Sequence, residues 1–250
     1  MPALLPDPEP ARARVERMGD FMDKELLLEW LQGRELIYLF LARLYQEGPG
    51  KELLSALVEE QLLAELPASI DNPMLAAGCR QMQAELTARA GDMEAYQQEL
   101  QEDYNRLFVG PGHLEAPPWE SVYRSKEHLL FGEETLAVRE FYRSFGLESK
   151  KKNREPDDHL GLEMEFMAWL SQAAAAKVQA GEEATEFLQG QRRFLKEHLE
   201  QWVPALCSDI QGAARTEFFR GLALFTRGWL EADAAELEAV LEDFCGGEKS

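Results

Sequence analysis

The sequence predicts an all-α protein, a bundle of about nine helices. Three observations carry this. Apolar residues recur every three or four positions through most of the 250 residues. Gly and Pro punctuate these periodic stretches. No segment shows the apolar–polar alternation of β-branched residues expected of a half-buried strand.

The first helix is expected over 27–47, where Leu31, Ile37, Leu41, Leu44 and Tyr45 share a face and Gly48-Pro49-Gly50 ends the run. A second is expected over 51–66, stopped before Pro67. A third starts near Asp71-Asn72-Pro73, where Asn or Asp can cap and Pro suits the first turn, and runs to about Ala90. The fourth covers about 92–108, on the face Tyr96, Leu100, Tyr104, Leu107, Phe108. The next stretch, 109–120, reads VGPGHLEAPPWE and cannot continue a helix. Residues 121–131 read equally as extended or helical. Further helices follow over 133–145, 156–179, 182–202 (with Pro204 just beyond), 208–231 and 232–244.

Composition narrows the function. Forty-six acidic against 26 basic residues give a formal net charge of -20. Such a surface repels nucleic-acid phosphates and attracts basic peptides. It also fits a role in solubility alone. Cys79, Cys207 and Cys245 are far apart and form no CxxC pair, so neither a disulfide framework nor a zinc site is expected. Residues 1–20 lack an apolar h-region and carry no adjacent arginine pair, so no signal peptide is expected there. With no apolar run of about 20 residues to span a bilayer, a cytoplasmic protein is expected.

Three stretches hold candidate chemistry. The first, Tyr104 to Tyr123, is long and largely aperiodic, and it gathers Pro117, Pro118, Trp119 and Tyr123. It reads either as a groove for an apolar peptide or as a rigid corner with Trp119 in the core. Its Gly-Pro-Gly lacks the third Gly and the Gly-Lys-Ser/Thr of a phosphate loop. The second, Glu155 to Met167, reads EPDDHLGLEMEFM. Pro156 with Asp157 and Asp158 makes a good first helical turn. His159 stands one turn before Glu163, so the two can form an i,i+4 pair in which Glu163 orients His159. Together these groups could receive an Arg guanidinium, with Asp158 as its bidentate partner. A metal-dependent enzyme using Asp158, His159 and Glu163 is the alternative. However, Glu155-x-x-x-His159 is not the Glu-x-x-His of carboxylate-bridged metal bundles, and there is no second copy. The third stretch sets Phe194, Leu195, His198, Leu199 and Trp202 on one face, where a lone His reads as a core residue. No catalytic nucleophile and no cofactor site can be nominated.

These stretches resemble the TorD/DmsD family of molybdoenzyme-maturation chaperones, which is related more distantly to the NarJ group. The likeness rests on LFVGPG followed by APPWESVY (Leu107 to Tyr123), on EPDDHLGLEMEFM, and on HLEQWVP (His198 to Pro204). The resemblance implies a non-enzymatic chaperone with two helical halves. On this chain they would be 21–145 and 156–250, joined by a hinge at 146–155, packed as one unit and preceded by a tail at 1–20. It implies binding of the twin-arginine leader of a molybdopterin oxidoreductase, with the apoenzyme held back from export until its cofactor is inserted. Pro118, Trp119, Asp158 and His159 would contact the leader, with Tyr104, Phe108, Glu120, Ser121, Tyr123, Asp157 and Glu163 around them. Some members resemble one another in forming domain-swapped dimers, so monomer and swapped dimer are both open. Guanine nucleotide binding is attributed to a few, and no motif here supports it. An adaptor that recruits the cofactor-insertion machinery is a further reading.

Overall fold

The computed structural model describes residues 24–125, 130–148 and 156–246. The expected tail at 1–20, His128, Glu155 and most of the expected hinge lie outside the described residues. All regular elements among them are helical.

Helix α1 (Lys24–Glu47) buries a stripe that includes Leu27, Trp30, Leu31, Tyr38, Leu41 and Tyr45. It stops at Gly48, whose φ of +74° suits a residue without Cβ. Helices α2 (Lys51–Glu59) and α3 (Leu62–Ser69) replace the single helix expected over 51–66. The break is Gln61, in the left-handed region at φ +50°, and α3 runs past Pro67. Helix α4 (Pro73–Arg89) begins as expected. Asn72 accepts the N–H groups of Met74 and Leu75 at 2.9 and 3.0 Å, and Pro73 occupies the first turn. Helix α5 (Met93–Tyr104) passes into a π turn over Asn105–Val109.

Short helices α6 (Glu120–Arg124) and α7 (Glu133–Ser144) follow, then the long α8 (Leu160–Ala180). Helix α9 (Thr185–Phe194), a π turn at Leu195–Leu199 and α10 (Glu200–Ala213) form one continuous coil. Pro204 lies inside α10, where a stop was expected. That coil therefore carries both of its irregularities, π turn and proline, side by side. Instead of two helices over 208–244, α11 (Glu217–Gly246) is a single 30-residue helix. Its real start is fixed by Asp103 of α5, which accepts the N–H groups of Arg215 and Thr216 at 2.9 Å.

Two long pairs organise the bundle: α1 lies along α8, and α4 along α11. Small residues permit the second contact. A Cβ on Gly78 of α4 would meet the carbonyl of Gly221 and the amide of Phe225, both at 2.5 Å. Between α1 and α11 sits a fully buried ion pair. Arg34 Nε and Nη2 donate to Asp233 at 2.5 and 2.9 Å, and Tyr38 donates to the same carboxylate at 2.6 Å.

Candidate functional site

The chain enters the site from the first π turn. Gly110 and Gly112 take φ values of +96° and +114°, and the Gly110–Pro111 bond is cis. The loop then returns along the π turn, with the Ala116 amide donating to Leu107 at 3.0 Å. This delivers Pro118 and Trp119 to the segment just before α8. There Trp119 and His159 form an antiparallel β-bridge. Leu160 N–H donates to the Pro118 carbonyl at 2.9 Å, and Glu120 N–H to the Asp158 carbonyl at 3.1 Å. The proline–tryptophan and the aspartate–histidine stretches thus become one element, buried at Pro118, Asp158 and His159 and half-buried at Trp119.

Asp158 has a place that the local pattern did not indicate. The expectation put Asp157 and Asp158 in the first turn of the long helix, but α8 begins at Leu160, with His159 as its N-cap. The Asp158 carboxylate instead caps α6. It accepts Ser121 N–H at 2.8 Å on one oxygen and the Thr135 hydroxyl at 2.7 Å on the other. It is fully buried. Asp157 is tied down as well: its carboxylate accepts Arg139 Nε at 2.5 Å, and its carbonyl accepts the Tyr142 hydroxyl at 3.1 Å.

The His159 ring is oriented from its own helix, since Nδ1 accepts Gly161 N–H at 3.0 Å. That bond leaves the ring proton on Nε2. Trp119 meets the ring edge-on, centroids 5.6 Å apart. Glu163, expected to orient His159, has its carboxyl engaged deeper in the protein. Its Oε2 accepts Trp202 Nε1–H at 3.2 Å, while Oε1 has no donor. Burial, then the nearby charges of Glu120 and Asp158, push the Glu163 pKa well above the ordinary carboxyl range. The protonated form of Glu163 is favoured in this setting, beside the buried carboxylate of Glu120. Glu120 is buried too and bonds His198 Nδ1 at 2.9 Å and Arg124. His198 packs against Phe194, ring centroids 4.8 Å apart, as a bonded core histidine.

At the surface, Trp119 and Tyr123 are half-buried and stand one helical turn apart. The Tyr123 hydroxyl donates at 2.9 Å to Asp209, an exposed carboxylate. Pro118 is buried beneath them. Ser121 is buried as well, and its contribution to the cap is its amide. Tyr104 and Phe108 belong to a different cluster, packed with Phe219, and the Tyr104 hydroxyl donates to the Tyr45 carbonyl at 3.1 Å. Sequence reasoning missed Thr135, Arg139, Tyr142 and Asp209. None has a local signal, because each meets its partner across 15 to 86 residues. Asp158, His159 and Glu163 face separate partners. Among the described residues no three His, Cys, Asp or Glu side chains converge as metal ligands. No described helix is long and apolar enough to cross a membrane.

The two motif stretches of this all-helical chain thus meet beside buried carboxylates. Comparison with known proteins gives its family. The model of the nitrate reductase delta subunit family matches residues 72–208, more than half of the chain. A probable Tat proofreading chaperone DmsD of Haemophilus influenzae is 32% identical over 130 residues, 52% of this chain and 58% of that protein. The Tat proofreading chaperone DmsD of Salmonella typhi is 40% identical over 76 residues, 30% of this chain and 37% of that protein. A chaperone protein TorD of Vibrio cholerae is 25% identical over 217 residues, 86% of this chain and 91% of that protein. The match thus spans little more than half of the first relative and about a third of the second. The chain belongs to the TorD/DmsD family, within the nitrate reductase delta subunit group, and the relatives it matches are named as chaperones.

Proposed function

We propose that this protein is a cytoplasmic chaperone that binds the twin-arginine leader of a molybdopterin oxidoreductase and holds the apoenzyme until its cofactor is inserted. The observation that carries this reading is the Trp119–His159 bridge. It unites two motifs from distant parts of the chain and leaves a half-exposed aromatic pair, Trp119 and Tyr123, at the surface. Relatives named Tat proofreading chaperones support it. So does the net charge of -20, which favours a basic ligand.

Roles divide by accessibility. Trp119 and Tyr123 supply the contact surface, with the buried His159 ring packed edge-on behind Trp119 and Asp209 as the accessible carboxylate beside them. Pro118, Glu120, Ser121, Asp157, Asp158 and Glu163 act from behind, by fixing that surface. Direct pairing of Asp158 with a leader arginine requires it to release Ser121 and Thr135 first. The test is titration calorimetry with a synthetic twin-arginine leader. Trp119→Ala should lose about 2 kcal/mol or more of binding, as for a central aromatic anchor. Its melting temperature should stay close to wild type. A strongly destabilised variant with intact binding would make Trp119 a core residue.

A further inference from the structure

On another face of the bundle, α1, α3 and α11 enclose an open apolar cavity of about 410 Å³. That lies within the range of about 300–1,000 Å³ usual for ligand pockets. Its walls include Ile37, Phe40, Leu57, Leu63 and Ile70. At its mouth Leu36 is 68% exposed and Leu62 is 39% exposed, unusual for leucines. None of the residues that line it belongs to the Trp119–His159 site.

Two buried donors make this more than an apolar dent. Arg34 Nη1 and Trp229 Nε1 have no acceptor among the described residues, and both residues line the cavity. Burying such donors without partners is unfavourable, so a small side-chain movement that opens them to the cavity lets an incoming acceptor satisfy them. The acceptor is neutral rather than anionic. Asp233 already balances the Arg34 charge, and Glu29 and Glu236 line the same cavity. A peptide carbonyl meets this demand. The two glutamates also favour a cation beside the apolar segment.

We propose that this cavity is a second peptide subsite, which takes an apolar segment flanked by basic residues, with Arg34 and Trp229 donating to its backbone carbonyls. The assignment rests on the function proposed above, since a twin-arginine leader is a basic pair followed by an apolar stretch. The cavity receives that stretch.

The experiment compares two synthetic peptides by calorimetry: a twin-arginine peptide with its leucine-rich stretch, and a short one that ends after the arginine pair. The wild-type chain should bind the long peptide more tightly. Leu36→Glu with Leu62→Glu places charge at two exposed positions, so the fold should survive, as thermal melting will verify. This variant should lose about tenfold in the ratio of long- to short-peptide affinity, because the added carboxylates act on the arginine pair of both peptides alike while only the long one loses its apolar contact. Trp229→Phe removes the donor and keeps a smaller aromatic ring, and should cost a few-fold on the long peptide only, once thermal melting shows the fold intact. An unchanged affinity in Trp229→Phe would overturn the carbonyl contact. Equal wild-type affinity for both peptides, or no effect of the double glutamate variant, would overturn the subsite while leaving the leader reading intact. Binding of neither peptide by wild type would remove both. If the glutamates alter only self-association in sedimentation, the cavity belongs to a second copy of this chain and the proposal falls.

Discussion

Arg34 and Asp233 meet inside the bundle as opposite charges, whereas Glu120 and Glu163 meet there as two acids. Both pairs are buried. The first is bidentate and is supported by Tyr38, so the charges it takes from water are returned as charge-assisted bonds. Its position between α1 and α11 makes it a bolt between the first helix and the last. The second pair has one charge too many for its surroundings. Arg124 and His198 reach Glu120, but Glu163 has only an indole donor, and burial beside Glu120 favours its protonated form. A cluster that stores an unneutralised acid is a poor bolt. Strongly shifted acids of this kind concentrate at functional sites. Here the cluster lies directly behind the Trp119–His159 bridge.

The largest expected effect breaks the first pair. Asp233→Ala leaves the Arg34 guanidinium buried without its partner. Removal of one member of a buried ion pair costs about 3–5 kcal/mol. Urea denaturation monitored by circular dichroism should show this loss. Replacement of both residues together by apolar ones of similar volume should recover most of it. A single-variant loss below about 1 kcal/mol would mean that the pair does not bolt α1 to α11.

The next effect tests whether the site side of the comparison is structural or ligand-facing. Asp158→Asn keeps the size but halves the acceptors. Asn Oδ1 can still accept Ser121 N–H, while its NH2 donates to the Thr135 hydroxyl, which turns to accept. The expected loss is about 1 kcal/mol of stability, the difference between a charged and a neutral acceptor. Thermal melting checks this, and a leader titration on the same variant sharpens it. A variant that melts like wild type but binds the leader ten- to a hundredfold more weakly would show that Asp158 meets the arginine directly.

Much of the bundle was legible because helix signals are local. Asn72-Pro73 marked a helix start, Gly48 a stop, and the three- and four-residue apolar spacing marked the buried faces. Pro misled twice. Both Pro67 and Pro204 read as stops, yet the helices continue, since tertiary packing on the buried faces outweighs the local penalty. The site was half legible. The residue types of Trp119, Asp158 and His159 drew attention, and the bridge joins their two stretches. Which way each side chain faces was not legible. Asp158 looked like a helix-start residue because Pro-Asp-Asp is a good helix start. Its real partners, Ser121 and Thr135, lie 37 and 23 residues away. No local pattern carries that information. The same holds for Arg34 and Asp233, 199 residues apart.

The smallest effect at acid pH, and the most specific, concerns Glu163. Gln has the shape of a neutral glutamic acid, and its amide can donate to Glu120 where the acid proton does. Near pH 5 the two side chains are equivalent, so Glu163→Gln should change stability by less than about 1 kcal/mol. The difference grows with pH in one direction only. In the unfolded chain Glu163 loses its proton near its ordinary value of about 4.5, while burial beside Glu120 and Asp158 keeps the folded form protonated to higher pH. A group whose pKa rises on folding stabilises fully below its unfolded value, and that contribution is lost as pH climbs toward the folded one. Wild type should therefore lose stability relative to Glu163→Gln as pH rises above about 4.5. The slope should reach about 1.4 kcal/mol per pH unit until the folded value is passed. Paired denaturant titrations of the two proteins from pH 5 to about 8 isolate the acid cluster, because titrations outside it cancel between them. A constant difference across that range would mean that Glu163 ionises in the folded chain as readily as in the unfolded one, and the acid cluster would then be as well compensated as the Arg34–Asp233 pair.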